Sequence, residues 1–227
     1  MEKFGISTIA KIEDWPGSSS ARKGTCGLSA RPPCAAFTLM NRNCNYPRMD
    51  PDEVAIRIRE GQQHLRFAAE ICRYQLRMGR HVAHEHPATA ASWQEPELEA
   101  LARHPRVITT TCHQCMYGLV TPAEGGGVLP ARKATRWMTS SRQMASRLQR
   151  ICDKTHEHQA LDSGRPAAAA FYPEELIAEL LRGMRDTHDA EASRQEHLHL
   201  IHHQDTTKPE EEWENAQPGI APTNFCN

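Results

Sequence analysis

The sequence predicts an α/β fold organised as part of a doubly wound sheet, and three patterns support this prediction. A helical pattern covers residues 50–79, a strand pattern follows at 81–85, and a β-branched strand pattern follows at 106–111. The connections between these segments are brief, which is typical of helices and strands that alternate within one sheet. Because ligands bind just beyond the carboxyl ends of the strands in such sheets, functional residues are expected there.

The length and composition fit one domain with additional polar segments. The 227 residues suffice for a domain with its own core, but only 39% are hydrophobic and 6% aromatic, so part of the chain is not expected to pack. Lys and Arg number 27 against 28 Asp and Glu. Since the net charge is near neutral, any nucleic-acid contact must come from a local basic patch. Arg132, Lys133, Arg136 and Arg142 are candidates for phosphate contacts, or simply a solvated face.

Three segments follow from the local patterns. Residues 1–30 have no clear period and include the linker pattern Pro16–Ser20, so they are predicted to be irregular. Residues 31–185 contain the periodic segments and are predicted to form the domain. Residues 186–227 are polar and rich in His and Glu, and we expect a frayed helix followed by a disordered tail.

The sequence favours an intracellular protein, cytoplasmic or nuclear rather than secreted. No apolar run approaches the roughly 20 residues of a membrane-spanning helix. The first fifteen residues mix charged with apolar side chains and lack the apolar core of a secretory signal. In a reducing compartment, the eight cysteines are expected to be buried thiols, metal ligands or nucleophiles rather than disulfides.

The first predicted helix has clear boundaries at both ends. Asp50 is a suitable N-cap, Pro51 fits the first turn, and Gly79 is a natural stop. Between them, apolar residues recur at helical spacing from Val54 to Leu76.

The following segments are shorter. Residues 81–85 are predicted to be a strand that ends at Pro87, in which His84 and His86 share one face and Glu85 lies on the other. A short helix is predicted from Pro96 to Arg103, and the strand at 106–111 comes next. After a glycine-rich loop at 125–127, helices are predicted at 142–151 and from about residue 173.

Two residues are candidates for catalysis. Cys34 follows Pro32-Pro33 and fits either a nucleophile whose thiolate is stabilised or a small buried residue in a turn. Glu85 lies at the end of a predicted strand and fits either a general acid or a solvated carboxylate.

A metal site is predicted from a group of cysteines and histidines. Cys112 and Cys115 have the spacing of a zinc knuckle, and Cys152 and His156 come later, followed by His158. Two or more thiolates with an imidazole can complete a tetrahedral zinc site. The alternative is a set of separate buried thiols.

The order of the motifs resembles the cytosine-5 methyltransferases. Pro32-Pro33-Cys34 followed by Gly79-Arg80 and Glu85-His86-Pro87 is similar to the Pro-Cys and Glu-Asn-Val motifs of that family, which follow neighbouring central strands. The later runs Cys115–Gly118, Lys133–Thr135 and Tyr172–Leu176 look like the C-terminal part of methyltransferase-like proteins of phages and retroelement polyproteins. The resemblance covers residues 31–185.

The resemblance implies methyl transfer to a cytosine of nucleic acid. The Cys34 thiolate would add to ring carbon six, and Glu85 would protonate the adjacent ring nitrogen. Carbon five would then take a methyl group from S-adenosylmethionine, with the target base flipped out of its stack.

Three departures from the family pattern qualify the activity that is expected. Residues 1–30 contain no glycine-rich donor-binding turn and no acidic ribose contact, Ala35 replaces a usual Gln, and His86-Pro87 replaces Asn-Val. The resemblance therefore implies a truncated or degenerate protein whose sheet lacks its donor-binding strands and which is inactive alone. An upstream polypeptide would supply the donor site. A zinc-binding interaction module and a non-functional open reading frame from a mobile element are the alternatives.

Overall fold

The computed structural model describes residues 6–7, 27–30, 32–161 and 169–206. The linker pattern at 16–20, most of the segment predicted to be irregular, and the tail beyond residue 206 lie outside these ranges. The chain divides into two compact units, residues 1–188 and 189–227.

The described residues form a mixed α/β structure, which confirms the predicted class. The strands are β1 Ile6–Ser7, β2 Gly27–Ala30, β3 His81–Pro87, β4 Ile108–His113, β5 Val120–Pro122, β6 Val128–Pro130 and β7 Ala134–Thr139. The α-helices are α1 Pro51–Arg77, α2 Pro96–Ala102, α3 Arg142–Arg147 and α4 Glu174–Thr206. Two 3-10 turns, Ala35–Phe37 and Gln114–Tyr117, matter for the sites described below.

The main sheet is mixed rather than parallel throughout. Its strand order is β1-β2-β3-β7-β4, and β5 and β6 form a separate antiparallel pair. Strands β2 and β3 are parallel and are joined by a crossover that contains α1. Strand β7 is antiparallel to both β3 and β4. Strand β7 follows the β5–β6 pair through a short loop without a helical crossover, so it runs opposite to β3 and β4.

Helix α1 agrees with its predicted boundaries because local interactions define both ends. The Asp50 carboxylate accepts the backbone N–H groups of Asp52 at 2.8 Å and Glu53 at 3.2 Å. These bonds satisfy two of the backbone donors that a helix leaves unpaired at its start. At the other end, Gly79 has a φ of 75°, a left-handed conformation that favours glycine after a helix.

Other elements differ from the predictions. Gly27–Ala30 was expected to be irregular, yet it forms β2 and pairs with residues 81–84 of β3. The small residues of β2 have low strand propensity. Strand β3 is buried and its backbone groups require hydrogen-bond partners, so the tertiary environment rather than local propensity makes this segment a strand. Residues 134–139 form the interior strand β7, which the sequence pattern did not indicate as a strand.

Helix lengths also differ. Helix α3 ends at Arg147 instead of continuing to residue 151, and Leu148 leaves the helical conformation. Helix α4, in contrast, agrees with the prediction of a helix from about residue 173, and it continues to Thr206 through the polar segment for which a frayed helix was expected.

Each face of the main sheet has its own hydrophobic core. One core combines residues of α1, α2, β3 and β7 with Phe37 of the first 3-10 turn: Phe37, Leu65, Ala68, Cys72, Leu76, Val82, Ala90, Leu98, Leu101 and Met138. The other combines the opposite face with α3 and the start of α4: Ala83, Cys112, Tyr117, Trp137, Met144, Leu148, Leu176 and Leu180. Side chains that follow one another in β3 therefore face different cores.

Among the described residues, no helix has both the length and the apolar character needed to cross a membrane.

Candidate functional site

Four side chains form a cluster with the geometry of a metal centre. The ligand atoms of Cys115, Cys152, His156 and His158 all lie within 4.8 Å of one another. The Cys152 Sγ is 3.6 Å from His156 Nε2 and 3.4 Å from His158 Nε2. With zinc bonds of about 2.3 Å to sulfur and about 2.0 Å to nitrogen, a tetrahedral centre places its ligand atoms about 3.3–3.8 Å apart. The cluster can therefore hold a metal ion with little rearrangement.

The first ligand comes from the turn that follows β4. Cys115 lies in the 3-10 turn Gln114–Tyr117, which ends at Gly118 in a left-handed conformation with φ 85°. The N–H of Gly118 donates to the carbonyl of Cys115 at 3.2 Å, and the N–H of Leu119 donates to the carbonyl of Gln114 at 3.1 Å. Because these bonds tie the turn down, Cys115 occupies a defined position.

The other three ligands come from one loop after α3, and local hydrogen bonds shape it. The N–H of Cys152 donates to Nδ1 of His113 at 3.0 Å, which ties the loop to the end of β4. The Asp153 carboxylate accepts the N–H of Thr155 at 3.1 Å and its hydroxyl at 2.8 Å. Lys154 has a φ of 66°, and its N–H donates to Cys152 Sγ at 3.3 Å. This tight turn brings the two following histidines back to the sulfur.

The predicted ligand set requires one correction, because Cys112 is not part of the cluster. Its side chain is fully buried in the core beside Trp137, and burial raises the pKa of its thiol to about 12. Cys112 lies within β4, whereas Cys115 lies in the turn that follows it, so the pair does not form a knuckle. His158 takes the fourth position.

The surroundings of Cys115 and His158 favour the neutral form of each side chain when no cation is present. Burial, together with the neighbouring Cys152, raises the pKa of the Cys115 thiol to about 11. Burial, and then the charges of His156 and Arg132, lower the pKa of His158. A neutral imidazole is the form that binds metals, and a thiol must lose its proton to a bound metal.

One predicted catalytic residue lies in the turn after β2, and the other lies within the parallel neighbour β3. The last pair between β2 and β3 joins Ala30 to His84, and Glu85 is the next residue of β3. Cys34 follows β2, and its carbonyl accepts the N–H of Phe37 at 2.9 Å at the start of the first 3-10 turn. Its side chain is half-buried. The turn after Cys34 packs against the core that contains Phe37, whereas Glu85 contacts Tyr172 beside the core that contains Trp137, so the two residues are associated with opposite faces of the sheet.

Glu85 is a buried carboxylate with a defined partner. Only 3% of the residue is exposed, and the Tyr172 hydroxyl donates to its Oε2 at 2.8 Å. The Tyr172 ring lies 5.8 Å from that of Trp137, the residue opposite Glu85 in the register of β3 and β7. The alternative of a solvated carboxylate is therefore wrong.

On the opposite face of β3, His86 links the strand to the Pro-Pro-Cys turn. Its Nε2 lies 3.1 Å from the carbonyl oxygen of Pro32, and its Nδ1 lies 2.6 Å from the Ser92 hydroxyl. Because a carbonyl can only accept, Nε2 of His86 donates to Pro32. The predicted sharing of a face by His84 and His86 is confirmed, since their ring centroids are 5.0 Å apart.

His84 is fully buried, and its ring lies beside those of His86 and Trp93. Neither of its ring nitrogens has a hydrogen-bond partner among the described residues. Burial, and then the nearby His86, lower the pKa of His84 well below 6.5. The ring is therefore neutral near physiological pH.

Two of the predicted phosphate-contacting residues have partners within the fold. The Lys133 Nζ donates to the carbonyl of Ala169 at 2.6 Å, and the Arg136 guanidinium lies 5.1 Å from the centroid of the Trp93 ring. A role in phosphate binding stays a prediction.

Sequence reasoning missed the partner of Glu85. Tyr172 lies 87 positions away along the chain. It belongs to a run used for the family resemblance, but no local spacing connects it to β3. Strand pairing through β7 and Trp137 brings the two together, and that pairing is not visible in the sequence.

Comparisons with protein families, with curated proteins and with solved structures gave no match for this chain.

Proposed function

We propose that this chain is a zinc-binding module in which the ion joins the turn after β4 to the loop after α3. The observation that carries the proposal is the cluster of Cys115, Cys152, His156 and His158, whose ligand atoms all lie within 4.8 Å of one another.

The donor set favours zinc among the common metals. Two thiolates and two imidazoles form a soft, tetrahedral site typical of structural zinc, whereas calcium and magnesium require oxygen ligands. All four positions are taken by protein side chains, so no position remains for water or substrate. The expected role is therefore to hold the loop at residues 152–158 in place, not to activate a reactant.

The proposal is tested by metal analysis of the purified protein and of matched variants. Elemental analysis is expected to find one equivalent of zinc, and cobalt substitution is expected to give the visible absorption of a tetrahedral thiolate site. Cys115→Ser and His158→Ala should lose the metal. Cys112→Ala should keep the metal, because Cys112 is in the core. This variant therefore distinguishes the ligand set seen in the structure from the set predicted from the sequence.

Circular dichroism of each variant distinguishes loss of the metal from loss of the fold. A stably folded wild-type protein that remains metal-free after incubation with zinc would overturn the proposal. Zinc loss from a folded Cys112→Ala variant would overturn the ligand assignment.

We infer a second candidate function, the catalytic-side part of a cytosine-5 methyltransferase-like protein with a partial doubly wound sheet. The parallel β2–α1–β3 unit supports it, because the Pro-Pro-Cys turn follows one strand and Glu85 lies on the neighbouring strand. Against it, Glu85 contacts Tyr172 beside the core that contains Trp137, whereas the turn is bound by His86 on the opposite face of β3. The zinc site lies on other elements, so the two functions are compatible.

In this second candidate, Cys34 is the nucleophile that adds to carbon six of the base, and Glu85 donates a proton to the adjacent ring nitrogen. S-adenosylmethionine supplies the methyl group in this chemistry. Ile6–Ser7 is the only described segment upstream of β2, so no donor site is assigned to this chain. An upstream polypeptide is expected to provide it.

The nucleophile can be tested without the donor. Reversible addition of a thiolate to carbon six activates carbon five for proton exchange, so the protein should release tritium from cytosine labelled at carbon five. DNA and RNA, single-stranded and double-stranded, are the substrates to test. Cys34→Ser and Glu85→Gln should abolish release, whereas Cys44→Ser at an exposed position should not. No release from any of these substrates by the folded wild-type protein would contradict the proposal.

A further inference from the structure

Two of the four residues in the metal cluster are cysteines, and their sulfur atoms lie within 4.8 Å of each other. We propose that Cys115 and Cys152 form a redox switch in which a peroxide converts the two zinc-bound thiolates into a disulfide and releases the metal. This inference rests on the proposed zinc site and adds its regulation.

Bound zinc makes Cys115 and Cys152 more reactive than the two fully buried thiols of the core. A zinc-bound cysteine is held as a thiolate, which is the nucleophilic form. Cys72 and Cys112 are fully buried, and burial raises the pKa of each thiol to about 12. Cys115 is only half-buried, so a small oxidant can approach its sulfur.

The chemical steps balance with peroxide as the oxidant. The Cys115 thiolate attacks one peroxide oxygen, the O–O bond breaks, and protonation yields a sulfenic acid and one water. The Cys152 thiolate then attacks the sulfenic sulfur, the S–S bond forms, the S–O bond breaks, and a second water leaves after protonation. Two thiolates, one hydrogen peroxide and two protons thus give one disulfide and two waters. The zinc ion keeps only its two histidine ligands and dissociates.

Disulfide formation requires the two sulfurs to approach to about 2.05 Å. Cys115 lies in the 3-10 turn after β4 and Cys152 in the loop after α3, and hydrogen bonds hold both segments. Any movement that brings the sulfurs together therefore distorts the arrangement of the ligand atoms around the metal. His156 and His158 lie on the same loop and leave their positions around the metal when it moves.

The test uses the full-length, zinc-loaded protein in which Cys26, Cys34, Cys44 and Cys226 are replaced by serine. Hydrogen peroxide is added, zinc release is followed with a chromogenic chelator, and unreduced peptides are mapped by mass spectrometry. The expected result is one zinc released for each Cys115–Cys152 disulfide, with zinc rebinding after dithiothreitol. As a control, Cys115→His keeps four ligands but removes one thiol, so peroxide should release far less zinc from it.

Three outcomes are distinguishable. Zinc retention at peroxide concentrations that oxidise Cys44 in the wild-type protein would overturn the switch. Zinc release accompanied only by sulfinic or sulfonic acids would overturn it as well. Absence of zinc from the reduced protein would instead overturn the zinc site itself.

Discussion

Tyr172→Phe removes one hydroxyl and should reveal how strongly the fold depends on the buried Glu85. The hydroxyl donates to Glu85 Oε2 at 2.8 Å, and only 3% of Glu85 is exposed. Phenylalanine keeps the ring near Trp137, so the packing on that side is retained. The change therefore isolates the loss of one hydrogen bond to a buried carboxylate.

The magnitude follows from the burial of that carboxylate. Leaving a buried acceptor without its donor costs about 1–3 kcal/mol. We expect a loss of about 2 kcal/mol in the free energy of unfolding. For a chain of this size, that corresponds to a decrease in Tm of about 4–8 °C.

Urea denaturation at neutral pH measures the change directly, and a double-mutant cycle with Glu85→Gln assigns it to the pair. Glutamine replaces the carboxyl group that accepts from the Tyr172 hydroxyl, so the cost of Tyr172→Phe should be smaller in that background. Tyr74→Phe is the matched control, because Tyr74 is 48% exposed and should change stability by less than about 0.5 kcal/mol. A Tyr172→Phe variant as stable as this control would refute the reasoning.

Three further substitutions test other parts of the structure. His84 is neutral when folded and has a lowered pKa, so the unfolded chain binds more protons below pH 6.5. Stability should fall with decreasing pH from about 6.5, by up to about 1.4 kcal/mol per unit, and His84→Leu should remove that part of the slope. Asp50→Ala removes the N-cap of α1 and should cost about 1 kcal/mol in thermal denaturation. Gly61→Ala would place a Cβ 2.5 Å from the Cβ of Ala36, so it should disturb the turn after Cys34 and lower Tm.

Each of these predictions has its own control. His197→Gln, at an exposed histidine, should leave the pH slope unchanged, and an equal slope in His84→Leu and the wild type would contradict the assignment. Asp50→Asn keeps a side-chain acceptor and should restore most of the stability lost in Asp50→Ala. Gly125→Ala places no atom within 4 Å of another residue, so it should be tolerated, and an equal Tm for Gly61→Ala would argue against the close contact.

The sequence predicts elements that local interactions define. Helix α1 has a capping aspartate, a proline in its first turn and a terminal glycine, and each acts within a few residues of the helix end. The alternation of His84, Glu85 and His86 follows in the same way from the geometry of a strand. These features require no knowledge of the distant chain.

The elements that the sequence did not indicate depend on distant partners. Strand β2 consists of Gly-Leu-Ser-Ala, which has weak strand propensity, and it exists because β3 offers a parallel edge. The contact between Tyr172 and Glu85 depends on how β7 enters the sheet. Residue type and spacing were enough to predict three ligands of the metal cluster, Cys115, Cys152 and His156. The fourth ligand is His158 and not Cys112, because Cys112 still lies within β4, and the end of that strand could not be read from the spacing.

The interior position of β7 has a consequence for the order in which the protein can assemble during translation. In the described sheet, β4 pairs with β7 alone, yet β4 is synthesised first. A nascent chain that has not reached Thr139 can join β2 to β3, but it has no strand with which to attach β4. A ribosome that stalls before Ala134, or a transcript that stops there, therefore yields a chain whose sheet ends at β3 and whose second core lacks Trp137.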